Sequence, residues 1–109
     1  MVVAISAETV IRALADPTRR EVFERISRSD EITVVELTRG SGVSQGAISQ
    51  HLRTLKNAGL VTDRAQGRNV LYRVEESGLA PLADWMEHYS DFWRDRFADL
   101  RTLLKESDS

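Results

Sequence analysis

The stretch from Ser44 to Gly59 constrains this chain more than any other. Ile48, Leu52 and Leu55 recur at spacings of four and three, which turns one face of a helix inward. Ser44 precedes them as a cap, and Val43 and Ile48 are placed for a hydrophobic staple across the helix start. Asn57-Ala58-Gly59 closes the run, with glycine where a left-handed residue is wanted. Upstream, Thr33 and Glu36 have capping-box spacing, which predicts a short helix from Val34 until Gly40-Ser41-Gly42 breaks it. A short helix, a glycine turn and a longer helix therefore span about residues 34–58.

The flanks read as clearly. Ala7, Val10, Ile11 and Leu14 place a helix over Ala7 to Ala15, with Ser6 as its cap. Asp16-Pro17, a cap followed by proline, starts a second helix rather than continuing the first. Its buried stripe is Val22, Phe23 and Ile26, and it frays near Ser27-Arg28-Ser29. Glu31-Ile32-Thr33 is a candidate short strand. Leu60-Val61-Thr62 and Val70-Leu71-Tyr72-Arg73-Val74 form a hairpin over about residues 60–74, with a basic tip at Gln66-Gly67-Arg68-Asn69. From about Leu79 to Lys105 the pattern predicts one long amphipathic helix with Pro81 near its first turn. Leu82, Met86, Tyr89, Trp93, Phe97, Leu100 and Leu104 trace one apolar stripe, and Trp85 and Phe92 trace a second beside it. No repeat, low-complexity tract or linker interrupts the chain, so residues 1–109 are expected to be a single domain, mainly α with a two-stranded β-wing.

Composition narrows the function classes. At 109 residues, 41% hydrophobic and 29% charged, the chain belongs with soluble globular proteins and has little mass for a catalytic cleft. No apolar run is long enough to span a membrane. The opening Met-Val-Val-Ala-Ile lacks a preceding basic stretch, and Glu8 and Arg12 follow soon after, so it is not expected to be a secretory signal. The absence of cysteine removes disulfides, thiolate metal ligands and thiol redox sensing, and is compatible with a cytoplasmic location.

The net charge of −2 hides a division along the chain. Residues 39–73 carry Arg39, Arg53, Lys56, Arg64, Arg68 and Arg73 against Asp63 alone, a net of +5. Residues 1–38 carry −2 and residues 74–109 carry −5. A basic middle third in an acidic protein is a candidate footprint for a polyanion, and here it coincides with the two helices and the hairpin. The first of the two helices braces the second, whose exposed side can enter a DNA major groove about 12 Å wide. Opposite the Ile48/Leu52/Leu55 stripe lie Gly46, Ser49, Gln50, Arg53 and Asn57. Gly46 would allow close approach, Ser49 and Gln50 can donate and accept at base edges, and Arg53 and Lys56 are candidate phosphate contacts. Ser44 and Gln45 open the same helix. Arg64, Arg68 and Asn69 at the hairpin tip would lie along the backbone or a minor groove.

The motifs also resemble a family. Leu14-Ala15-Asp16-Pro17-Thr18-Arg19-Arg20, Val43-Ser44-Gln45-Gly46-Ala47-Ile48-Ser49-Gln50-His51-Leu52, Leu55-Lys56-Asn57-Ala58-Gly59-Leu60-Val61 and Gly67-Arg68-Asn69-Val70-Leu71-Tyr72 are similar, in this order, to the ArsR/SmtB winged helix-turn-helix transcriptional repressors. The resemblance implies a homodimer on a palindromic double-stranded DNA operator, released by a signal. It also implies pairing of the first and last helices across the dimer, with Val10, Ile11, Leu14, Trp85, Tyr89, Phe92, Trp93 and Leu100 as interface residues. One apolar stripe of the last helix would then face the home core and the other the partner.

The departures concern metal. Where arsenic- and lead-sensing relatives carry Cys-x-Cys, this chain reads Thr33-Val34-Val35-Glu36-Leu37. Asp84, His88 and Asp91 share a face of the last helix, a thin ligand set next to those of zinc-sensing relatives and more simply a solvated polar face unless the mate contributes. The sequence thus resembles the metal-independent branch, and no cofactor is expected. A metal- or ligand-gated sensor of the same fold and a winged-helix protein-interaction module stay open as alternatives. A small-molecule effector also stays open, with the aromatics Trp85, Tyr89, Phe92 and Trp93 marking where it would bind.

Other signals carry less. Gly42-Val43-Ser44-Gln45-Gly46 matches the G-x-S-x-G string of serine hydrolases, but a helix rather than a strand is predicted before it, so no enzyme is expected. His51, at the flank of the buried stripe, reads as a partly buried, hydrogen-bonded structural residue before a DNA contact. Thr18-Arg19-Arg20 can reach DNA, or Arg20 can pair with Glu24 on its own helix; the sequence does not separate the two.

Overall fold

The structure, a computed structural model, describes residues 5–107; of the apolar opening stretch, Met1 to Ala4 lie outside the described residues. Six helices and three strands follow in the order α1 (Ala7–Ala15), α2 (Pro17–Ser27), β1 (Ile32–Thr33), α3 (Val34–Thr38), α4 (Gln45–Asn57), β2 (Val61–Gln66), β3 (Asn69–Val74), α5 (Ala80–His88) and α6 (Ser90–Ser107).

The helix starts follow the capping chemistry. The Ser6, Asp16, Thr33 and Ser44 side chains accept from the backbone N–H of Thr9, Arg19, Glu36 and Ala47 respectively, each satisfying one otherwise unpaired donor. Helix ends are held partly by arginines. Arg19 donates to the Ala13 and Arg12 carbonyls and Arg20 to that of Leu14, closing the end of α1. Arg25 reaches from α2 to the Leu37 and Glu36 carbonyls at the end of α3. Cations at carbonyl ends also complement the helix dipole. Arg20 thus turns to a backbone carbonyl of α1, a use that neither sequence-based reading of it anticipated.

The core joins Val10 and Ala13 of α1, Val22, Phe23 and Ile26 of α2, Leu37 of α3 and Ile48, Leu52 and Leu55 of α4 to Ile32, Ala58, Leu60 and Val61. Val43 packs against it beside Ile48, as a hydrophobic staple requires. Removing one of these side chains, as in Leu52→Ala, should cost about 2–5 kcal/mol of stability.

The sheet is antiparallel with strand order β1-β3-β2, so the wing gains a third strand beyond the expected two. Ile32 pairs with Tyr72, and Asp63 pairs with the same Tyr72 from the other side. The hairpin turns at Gly67-Arg68, with Gly67 at φ 61°, the glycine-first pattern whose twist suits a two-residue loop.

Two expectations about helices are corrected. The single helix over Leu79 to Lys105 is two, α5 and α6, parted at Tyr89, where φ −108° and ψ 20° leave the helical basin. No glycine or proline marks the break, so apolar period alone carried the expectation across it. Nor does either apolar stripe face the home core beyond Leu82, which packs against it. Met86, Tyr89, Trp93, Phe97, Leu100 and Leu104 are exposed, as are Trp85 and Phe92. Val10, expected at a dimer interface, is fully buried in the chain's own core and has no surface left for a partner. Ile11, one residue on, is exposed, and Leu14 packs partly against the core. The radius of gyration is 17.9 Å, against about 13 Å for a compact chain of this length, because α6 extends outward and buries none of its residues.

Candidate nucleic-acid interface

The site begins with how α4 is held. Gly40 and Gly42, both at φ 73°, carry the chain from α3 into it, and the Ser41 hydroxyl donates to the Thr38 carbonyl at 2.8 Å and accepts from the Val43 N–H at 3.0 Å. At the far end Leu60 N–H donates to Leu55 O and Gly59 N–H to Lys56 O, both at 3.0 Å, with Gly59 at φ 76°. That is a Schellman closure, and its apolar partners Leu55 and Leu60 are fully buried. With Ile48, Leu52 and Leu55 pressed into the core, α4 cannot rotate. Ser44, Gln45, Gly46, Ser49, Gln50, Arg53, Lys56 and Asn57 are all exposed.

The wing brings a second set of groups to this helix. Thr33, Val34, Val35, Gln45, Arg68, Asn69 and Val70 line one hollow of about 180 Å³. Gln45 at the start of α4 therefore faces Arg68 and Asn69 at the wing tip. Val35 and Val70 bring exposed apolar surface to the same place, a contribution that no helical or strand period announces. An Ala Cβ at Gly46 would meet nothing within 4 Å, so no packing within the chain requires glycine there.

Two expected DNA-contacting cations are paired with carboxylates. Lys56 Nζ lies 2.9 Å from Asp63 Oδ1 and 3.2 Å from Oδ2. Arg64 lies within the β2 strand rather than at the tip, and its Nε and Nη2 donate to Glu31 at 2.6 and 2.9 Å. These hydrogen bonds hold the Glu31 carboxyl below its ordinary range and push the Arg64 guanidinium up. Among the described residues, neither Arg53 nor Arg68 pairs with a carboxylate. Burial, with help from the Asp63 charge, pushes the Tyr72 hydroxyl up. The Asp16 carboxyl is held down chiefly by the Arg19 backbone N–H, with further help from the Arg19 and His51 charges. His51 is half-buried, and its charge is felt at this α2 cap.

The remaining candidates do not assemble. Among the described residues no three His, Asp or Glu side chains gather as a metal site; Asp91 pairs with Arg94, and the His88 ring stands edge-on to Tyr89. Ser44 spends its hydroxyl on the helix cap and has no strand before it, so the G-x-S-x-G string is not a nucleophile elbow. Ala83, Met86, Glu87, Ser90, Trp93, Arg94 and Phe97 line an open apolar groove of about 580 Å³ across the α5–α6 break. Of the aromatics expected to mark an effector site, Trp93 lines this groove.

A family model described as a helix-turn-helix domain matches residues 14–64, from the end of α1 into the wing. The chain is 40% identical over 84 residues to the HTH-type transcriptional regulator Rv2034 of Mycobacterium tuberculosis (strain ATCC 25618 / H37Rv), covering 77% of this chain and 78% of that one. It is 41% identical over 77 residues to the HTH-type transcriptional repressor SmtB of the same organism, covering 71% of this chain and 56% of that one. The solved structure of an ArsR-like transcriptional regulator from Rhodococcus sp. RHA1 superimposes with a TM-score of 0.71 at 30% identity, over 89% of this chain and 91% of that one. This chain belongs to the ArsR/SmtB family. Like its ArsR/SmtB relatives it is a DNA-binding transcriptional regulator, not an enzyme. No helix among its described residues is long and apolar enough to cross a membrane.

Proposed function

We propose that this ArsR/SmtB protein is a cytoplasmic repressor that binds a palindromic operator as a homodimer, without a metal cofactor. The observation that carries the reading is the joint surface of α4 and the wing tip, where Gln45, Gly46, Ser49, Gln50 and Arg53 stand exposed and Arg68 and Asn69 flank Gln45. Ser49 and Gln50 read base edges, Arg53 and Arg68 hold phosphates, and Ser44 fixes where the helix begins. Two such helices enter successive major grooves about 34 Å apart, and bound protein occludes the promoter.

The exposed faces of α5 and α6 support a dimer. Trp85, Tyr89, Phe92, Trp93 and Leu100 leave an apolar surface that a lone chain would expose to water, and Ile11 adds to it from α1. The lack of cysteine supports the metal-independent reading, since the chain has no thiolate to offer a metal.

Fluorescence anisotropy with a duplex from the gene's own upstream region, against a scrambled duplex at physiological salt, tests the function. Specific recognition predicts a preference of about three powers of ten or more for the native duplex. Equal, weak and salt-labile binding to both would overturn it and leave a basic surface on an interaction module. Gln50→Ala should change base preference, whereas Arg68→Ala should weaken all sequences alike.

A further inference from the structure

We propose that Asp63 is a specificity-determining residue that withholds Lys56 from DNA phosphates and so keeps non-specific binding weak. The inference rests on the DNA-binding reading above and deepens it. At about 100° per residue, Lys56 lies about 20° from Ser49, about 60° from Arg53 and about 40° from buried Leu52, at the edge of the α4 face assigned to DNA. Asp63 is the sole acidic residue in the basic stretch 39–73, and its carboxylate meets the ammonium at 2.9 and 3.2 Å. The Asp63 side chain is 28% exposed against 53% for Lys56, so the acid is the more enclosed partner of the pair. Its strand partner on β3 is Tyr72, which packs against the core.

An exposed ion pair of this kind adds little stability. Its effect on a polyanion is larger, because a neutral pair releases no counterion when phosphate approaches. If Lys56 swung away, it would leave an unpaired carboxylate beside the DNA backbone. The next residue, Arg64, has the same fate on the opposite face of β2, where Glu31 holds it. Lys56 and Arg64 are thus both neutralised, and among the described residues the cations of α4 and the wing tip without a carboxylate partner are Arg53 and Arg68. Binding to arbitrary DNA is driven by phosphate charge, so silencing Lys56 lowers that background and widens the margin for the correct sequence.

The test uses the full chain and a duplex of random sequence, with Kd measured across a salt series. Asp63→Asn frees Lys56, and the slope of log K against log salt should steepen by about 0.9, so raising salt from about 50 to 200 mM costs the variant about 3.5-fold more affinity than wild type. In a Lys56→Gln background the same Asp63→Asn change frees no cation and relieves only the repulsion of an unpaired carboxylate, so the slope should steepen by clearly less than in the wild-type background. An unchanged slope for Asp63→Asn overturns the proposal. An equal steepening in both backgrounds also overturns it, since Asp63 would then repel phosphate without holding Lys56. Asp63→Ser gives the same readout should the asparagine variant fail to melt cooperatively. Failure of the wild-type chain to bind any duplex at low salt would instead overturn the DNA-binding reading itself.

Discussion

Gly46 and Gly78 show how the same residue type answers to different demands. Gly46 sits in the first turn of α4 with open space around it, where alanine would fit the free protein. Gly46→Ala should therefore raise the stability of the free chain by up to about 1 kcal/mol through helix propensity, while weakening DNA binding if the groove wall must come close. A thermal melt beside an anisotropy titration checks both halves; unchanged DNA affinity would remove the need for close approach. Gly78 is buried, and a Cβ there would lie 2.6 Å from the Gly59 carbonyl oxygen and 3.0 Å from Leu60 Cα. Both neighbours are backbone and cannot step aside. Gly78→Ala should destabilise by about 1–3 kcal/mol, read from urea unfolding, and should disturb the closure of α4 across which it lies.

At the scale of elements, backbone pairing of β3 with β1 anchors the wing, and the Arg64–Glu31 pair adds a contact whose charge depends on pH. Arg64 holds Glu31 ionised to lower pH than an ordinary glutamate, so the unfolded chain binds the proton first as pH falls. The contribution is complete above the ordinary glutamate value, about 4.3, and is lost as pH drops through the lower folded value. Asp16 at the start of α2 titrates in the same sense, because the Arg19 N–H bonds its charged form. Glu31→Gln should flatten part of the acid limb of stability, measured by urea melts from about pH 5 downward, and added salt should shrink the wild-type difference. If wild type and Glu31→Gln lose stability in parallel, the Arg64 pair has no thermodynamic weight. The helix caps are legible in the sequence alone, since a hydroxyl or carboxylate three residues ahead of a free N–H is a purely local arrangement; Ser44→Ala should cost about 1 kcal/mol. The break at Tyr89 is not legible there, because one residue leaving the helical basin needs no special side chain.

For the whole molecule, the apolar surface of α5 and α6 is the dominant fact. Phe97 is 56% exposed and Leu103 is 62% exposed on a helix none of whose described residues is buried by its own chain. A dimer made through this surface should persist in sedimentation velocity at micromolar concentration. Trp93→Ser with Phe97→Glu should yield a monomer whose core still melts cooperatively but which loses the affinity that two tethered half-sites provide. A monomeric wild-type chain that still binds its upstream duplex tightly would overturn the dimer and the palindrome together.

What this sequence determined by itself was the local order of things: the caps at Ser6, Asp16, Thr33 and Ser44, the glycine closure at Gly59, and the inward stripe of α4 that leaves Ser49, Gln50 and Arg53 outside. Each follows from interactions within about one or two helical turns, where spacing is geometry. The tertiary structure alone decided which charges are free. Lys56 and Arg64 read as two more cations of a basic patch until the fold set Asp63 against one and Glu31 against the other, the second pair separated by 33 residues. It alone decided that Val10 belongs to the core while Ile11 faces out, and that the stripes of the last helices have no home surface beyond Leu82. An apolar period states that a face will be covered, and only the packed chain states by what.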